Sequence, residues 1–250
     1  MITRYNVWLD GEGLQNIDPS IIILDIQEQS PQTRYTTAEW AAGRDGTRFI
    51  RDTRQTVSVT VTFQVREYDV TRRKTVTSDV AAWARRGRYL EINDRPDQRL
   101  CVRCTALPTV KSALKWTDTL TVTFTAYEWP YWEAFYEESA AIAGGTSATL
   151  HVPGNGPYAY LSGDLTIDGT ASVKIAVGDQ YFDMRNVSNA LSWGYENGLL
   201  YIRSGDESVM ARRTTSSSDN LTVKPGSMAT ITVTSTAAVS GRVYTRGCYE

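Results

Sequence analysis

At Trp129-Pro130-Tyr131-Trp132 the chain changes character. Residues 1–132 hold five Gly, one dense basic segment of helical period and long alternating strands; residues 133–250 hold thirteen Gly and a run of short Thr- and Ser-rich strands. A single core seldom serves 250 residues, whereas two domains of ordinary size fit that length. The pattern therefore predicts two domains, 1–132 and 133–250. Seven Trp and fourteen Tyr supply enough apolar mass for two cores, and a charged content of 22% is ordinary for a folded soluble chain.

In the first half, Val57, Val59, Val61, Phe63 and Val65 alternate with Ser58, Thr60, Thr62 and Gln64. Period two with one apolar face predicts a long, half-buried antiparallel strand over 54–65. Thr119–Ala126 repeats the pattern, with Leu120, Val122 and Phe124 inward and Thr119, Thr121, Thr123 and Thr125 outward. Between them the spacing of Val76, Val80 and Trp83 predicts a helix over about 71–86. Asp69 or Thr71 can cap its start. Gly87 is expected to end it in a left-handed conformation, with Arg85 and Arg86 favourable near the C-terminal dipole. Arg72, Arg73 and Lys74 sit at the unfavourable end, so they are either solvated or paired from outside the domain. Tyr89–Ile92, 100–107 and 110–127 read as further strands, with a turn at Asp94-Arg95-Pro96-Asp97. The order predicts a small mixed sheet or split barrel with one helix across it.

In the second half, Asp168-Gly169, Gly178-Asp179 and Asn197-Gly198 separate alternating strands, and Pro225-Gly226 leads into Ala229–Thr236. Asp-Gly and Asn-Gly readily supply the positive φ of tight hairpins. Short strands at this spacing, without a helix signal, predict a β-sandwich. The polar segment 214–220 is expected to be a mobile surface loop. The fold class is mainly β, with a minor α component.

Net charge is −2, split as 18 Lys and Arg against 16 Asp and Glu before the junction and 8 against 12 after it. That balance argues against a nucleic-acid protein, which shows a basic patch or high pI. Arg outnumbers Lys by 21 to 5. Guanidinium-rich interfaces or a GC-rich genome would each produce this bias. Cys101-Val102-Arg103-Cys104 has CxxC spacing, but no second pair exists and His151 is the single His. On a strand, an offset of three places the two thiols on opposite faces, so ordinary thiols are expected rather than a metal or redox site. One His leaves most Ser/His/Asp and Cys/His arrangements without a general base. Gly154-Asn155-Gly156 lacks the Lys and helix of a phosphate loop. No enzyme, cofactor or metal is expected. Arg4, Asp10, Glu12 and Asp18 leave no secretory h-region, and no apolar run approaches a membrane span.

The succession of motifs carries a resemblance. A short N-terminal strand precedes Ser30-Pro31, Gly43-Arg44-Asp45-Gly46, the alternating strand and a helix ending in Trp83; Asp94-Arg95-Pro96-Asp97-Gln98-Arg99 then leads into the next strand. Over residues 1–132 this resembles the distal tail proteins (Dit) of siphophages. The second half, including Asn155-Gly156-Pro157, resembles the family's galectin-like C-terminal sandwich. The resemblance implies an N-terminal domain that closes into a homohexameric ring, with the sandwiches outside. It implies location at the virion tail tip, after synthesis in the bacterial cytoplasm. It implies as partners the major tail tube protein and a tail-tip or tail-associated lysin-like protein. Receptor-binding or accessory baseplate proteins are further partners the resemblance implies; longer members hold them through inserted arms, and at 250 residues no large arm is expected here. No membrane or sequence-specific nucleic-acid partner is implied.

Under this reading Gly43, Arg44, Asp45 and Gly46 form an interface loop or a tight turn, and Arg72, Arg73 and Lys74 join the oligomer interface. Trp129, Pro130, Tyr131 and Trp132 form the interdomain hinge, as aromatic packing. The second reading is a carbohydrate-binding module on the sandwich. Trp193, Tyr195 and Tyr201 would be its aromatic platform, unless they are buried in the core.

Overall fold

The structure, a computed structural model, describes residues 6–29, 33–39, 47–109, 117–127, 129–143, 147–196 and 199–250. It divides into two compact units, Met1–Trp132 and Glu133–Glu250. Gly43, Arg44, Asp45 and Gly46 lie outside the described residues, as do Ser30-Pro31 and Asn197-Gly198.

In the first unit a bent sheet runs, in spatial order, through Glu12–Gly13, Val7–Leu9, Tyr89–Ile92, Gln98–Ala106, Thr117–Ala126, Ser58–Arg66 and Ile21–Gln29. Each of these pairs is antiparallel, so the sheet is antiparallel rather than mixed. The reason is topological. Parallel neighbours need a crossover, and the helix Val70–Arg86 joins Ser58–Arg66 to Tyr89–Ile92, which are not neighbours. Gln98–Ala106 turns the corner: Leu100 and Cys101 pair with one set of strands, and Val102 to Ala106 with the other. The result is a split barrel.

The alternation in Ser58–Arg66 is realised as read, with Val59, Val61 and Phe63 fully buried against Leu120, Val122 and Phe124 of the partner strand. Burying one such side chain contributes about 1.5–3 kcal/mol. On the opposite face Thr60 and Thr123 share a hydrogen bond of 3.2 Å, and Gln64 Nε2 donates to Thr119 Oγ1 at 3.4 Å. The helix begins where Asp69 accepts from Thr71 N at 2.8 Å. It buries Val76, Val80 and Trp83. The Trp83 ring meets Phe124 edge-on at 5.8 Å, and its Nε1 donates to Glu12 O at 2.9 Å.

Gly87 does not take the left-handed conformation read from the sequence: its φ is −80° and ψ 154°. Space selects the residue instead. A Cβ there would lie 1.9 Å from Leu9 Cγ, and Leu9 is a buried core residue.

In the second unit the hairpin Ala159–Val177 with Gln180–Glu196 belongs to both layers of a sandwich. Its Leu161–Ile167 half pairs with Val239–Tyr249, while its Val173–Val177 half pairs with Ser227–Ser235. Ser227–Ser235 in turn pairs with Ser147–Val152, and Gln180–Glu196 with Leu199–Ser204. Leu161, Val173, Phe182, Met184, Trp193 and Val243 fill the core at 0% exposure.

Gly178-Asp179 forms the expected two-residue turn, with Gly178 at φ 55° and Val177 opposite Gln180. Asp168-Gly169 does not end a strand. It lies within one 19-residue strand, at a register shift between Thr166 and Thr170. An irregularity that bends a strand carries the same glycine signal as a turn. The 214–220 loop is also fixed rather than loose. Ser217 Oγ accepts from Asp183 N and Ser218 Oγ from Tyr181 N, both at 3.0 Å, and Ser218 N donates to Tyr181 O at 2.8 Å.

Candidate assembly surfaces

The Asp94–Asp97 turn presents Arg95 to Glu28 on the far strand. Arg95 Nε donates to Glu28 Oε2 at 2.9 Å and Nη2 to Oε1 at 2.8 Å, a planar two-point pairing. Trp132 Nε1 donates to the same Oε1 at 2.9 Å, and the guanidinium lies over the Trp132 ring at 5.1 Å. Three segments distant in sequence are thereby tied at one carboxylate within the first unit. Trp132 is fully buried, Tyr131 is buried, and Trp129 packs edge-on against Tyr131 at 5.2 Å. The aromatic segment is an anchor of the first unit's core, and the glutamate that holds it was not singled out in the sequence. The signal was faint: Glu28 lies near the end of a strand whose alternation weakens after Ile23.

A second feature stands apart. Thr33–Glu39 pairs with Thr47–Arg54 as a separate two-stranded sheet, and among the described residues this hairpin joins no other strand. Residues 34, 35 and 37 are exposed. The segment Gly43–Gly46 belongs to the stretch that links these strands.

The basic cluster at the helix start resolves unevenly. Arg72 pairs inside its own unit, with Glu67 at 3.2 Å and Asp18 at 3.6 Å. Arg73 is buried, whereas Lys74 is exposed. Arg72 therefore finds intrachain carboxylates where an external partner was one of two expectations, and Arg73 is closed to one. Asp18 is held below the ordinary carboxylate value, first by its hydrogen bond with Ser20 and then by Arg72, against the opposing effect of burial.

The aromatic platform does not assemble. Trp193 is fully buried, with Nε1 donating to Leu161 O at 3.0 Å, and it packs where a Cβ on Gly163 would collide with its ring. Tyr195 stacks on Tyr160 at 3.9 Å, and its hydroxyl accepts from Leu221 N at 2.9 Å. Burial raises its pKa to about 12. Tyr201 remains partly exposed, with Arg203 over its ring at 4.8 Å. Core packing and edge stacking, rather than a shared open face, account for these rings.

Gly154-Asn155-Gly156 clasps the strand Val239–Tyr249. Asn155 N and Gly156 N both donate to Cys248 O, at 3.0 and 2.8 Å, and a Cβ on Gly154 would lie 2.0 Å from that oxygen. Cys101 and Cys248 are buried thiols, and burial pushes the Cys104 thiol up, away from reactivity. No group of three metal-ligating side chains occurs among the described residues. No helix of the described residues is long and apolar enough to cross a membrane.

No protein-family model and no curated protein sequence matches the chain. Solved structures do. The crystal structure of the Dit protein (gp 19.1) of phage SPP1, described as a paradigm of the hub adsorption apparatus in phages infecting Gram-positive bacteria, aligns with a TM-score of 0.70 at 14% identity. A chain of the phage P2 baseplate in its activated, calcium-containing conformation aligns at a TM-score of 0.50 and 8% identity, over 97% of this chain and 98% of that one. Because the SPP1 alignment spans 96% of this chain and 98% of that one, the likeness extends across both units, and the chain has the fold of a siphophage distal tail protein.

Proposed function

We propose that this chain is a non-catalytic hub protein of a siphophage tail tip. Copies of it close through residues 1–132 into a six-fold ring that joins the tail tube to a tail-tip or lysin-like protein. The observation that carries this reading is the separate hairpin, Thr33–Glu39 with Thr47–Arg54. An isolated two-stranded hairpin is marginal in water. Edges that join no other strand among the described residues invite another chain, and a neighbouring copy in a closed ring satisfies them without leaving open ends. The shared fold with SPP1 Dit supports the same reading. The segment 43–46 would then sit at the contact, and Trp129–Trp132 at the junction of the two units.

Light scattering after size exclusion, with negative-stain images of the peak, tests it. The expected species has about six times the 27.9 kDa monomer mass and the outline of a ring. Replacing residues 34–53 with a short Gly-Ser linker is expected to give a folded monomer. A ring that survives this replacement, or a full-length chain that stays monomeric both alone and with its tube protein, overturns the proposal.

A further inference from the structure

We infer that the second unit carries a phosphate-binding cleft between strand Gln180–Glu196 and the segment Met210–Thr215. The cleft has a volume of about 410 Å³ and is lined by Arg185, Asn186, Arg212, Arg213, Thr214 and Thr215. Three guanidinium groups thus share one concavity with two threonines.

Local backbone geometry builds it. The strand's alternation breaks at Arg185-Asn186, where both residues are exposed between buried Met184 and Val187. Asn186 has a φ of 53°, and the register with the neighbouring strand shifts between Ala171 and Val173. Such irregularities re-aim side chains, and here the break exposes Arg185 and Asn186 together on the cleft wall. The opposite wall is fixed by the bridge between Met184 and Arg213 and by Thr214 N donating to Asp183 O at 2.9 Å. Arg212 Nη1 donates to Asn186 O at 2.7 Å, which orients its guanidinium, and Arg213 Nη1 donates to Ser218 O at 3.1 Å.

Arg185 is exposed to a ligand, whereas the Arg212 and Arg213 side chains are 36% and 22% exposed and reach the cleft from a more covered position, Arg213 lying over the Phe182 ring at 5.9 Å. Among the described residues Arg185 makes no hydrogen bond or ion pair. Arg212 meets Glu207 at 3.3 Å and Arg213 meets Asp219 at 4.0 Å, but those carboxylate side chains are 70% and 98% exposed. Exposed pairs of this kind are weak and readily exchanged. A carboxylate offers two oxygens in one plane, which a single guanidinium fork can engage together. A tetrahedral phosphate offers more acceptors and matches a three-arginine wall with threonine hydroxyls beside it. The open mouth admits a phosphate carried on a larger molecule.

The test titrates inorganic phosphate and glycerol 3-phosphate into the full-length protein at ionic strength fixed with sodium chloride, following amide shifts of the second unit. Saturable binding confined to resonances around residues 183–186 and 210–215 is expected. Arg185→Gln should weaken it about tenfold, the loss of one charge-assisted contact. Arg242→Gln, on a different strand, should leave it unchanged. Tighter binding of glycerol 3-phosphate assigns the site to an ester-linked phosphate, and tighter binding of inorganic phosphate assigns it to the free ion; both support the cleft. Absence of saturable binding, or binding indifferent to Arg185→Gln, overturns it. The titration reads the cleft whether or not the chain closes into a ring.

Discussion

Replacing Glu28 tests whether one carboxylate holds the first unit's aromatic anchor. In the wild-type chain Glu28 accepts from Arg95 at 2.9 and 2.8 Å and from Trp132 Nε1 at 2.9 Å. Hydrogen bonds to charged groups contribute about 1.5–3 kcal/mol each. The Glu28 and Arg95 side chains are 22% and 23% exposed, so solvent screens the pair and roughly halves that figure. Loss of the acceptor for Trp132 Nε1, on a fully buried ring, adds about 1 kcal/mol. Glu28→Ala should therefore destabilise the first unit by about 3 kcal/mol. Glu28→Gln, which keeps an acceptor oxygen for Trp132, should cost about 1 kcal/mol. For a unit of this size the larger loss lowers Tm by roughly 10 °C. Calorimetry, with tryptophan fluorescence to mark the transition that involves Trp132, measures both variants, and a cycle with Arg95→Ala isolates the pair. If Glu28→Ala stays within about 0.5 kcal/mol of wild type, the carboxylate does not hold the anchor and the reasoning fails.

Gly87→Ala should cost about 2 kcal/mol through overpacking against Leu9, and most of that cost should vanish in a Leu9→Ala background. Urea midpoints for the four proteins decide it, since an undiminished cost would place the fault in the helix cap instead. Asp18 has a folded pKa depressed below its ordinary 3.8. Its contribution is therefore fully present above that value and is lost as pH falls through the lowered one. The stability gap between wild type and Asp18→Asn should shrink between pH 6 and pH 2.5, and a gap constant over that range refutes the assignment.

Much of this fold can be read from side-chain period alone. Val59, Val61 and Phe63 could face only a core, and the Val76, Val80, Trp83 spacing could make only one helical stripe. Glycine was harder to read, because the sequence does not say why a glycine is there. Gly178 is present for its positive φ, Gly87 for the room that Leu9 occupies, and Gly169 at the irregularity that lets one strand serve two layers. The candidate surfaces were less legible still. Glu28, Arg95 and Trp132 meet across 104 residues, and no local pattern records a meeting of that kind. Trp193 was open to two readings, platform or core, for a related reason: an aromatic on a strand signals burial or display until its facing glycine, here Gly163, is placed.

The excess of arginine over lysine shows the same limit from the side of composition. Interface use and genome bias were the explanations open to the sequence, and the structure adds another. Arg99 lies over Tyr89 at 4.0 Å, Arg103 over Tyr127 at 4.7 Å and Arg242 over Tyr244 at 5.0 Å, each within one unit. A planar, weakly hydrated guanidinium can cover a half-exposed tyrosine face, which an ammonium does less well. On strands whose outer faces carry tyrosine, arginine is thus selected by the chain's own surface before any partner is considered. A total of 21 arginines therefore says little about interfaces. What bears on a partner is a guanidinium without a ring or a carboxylate of its own, set in a concavity beside others, and among the described residues that condition picks out Arg185.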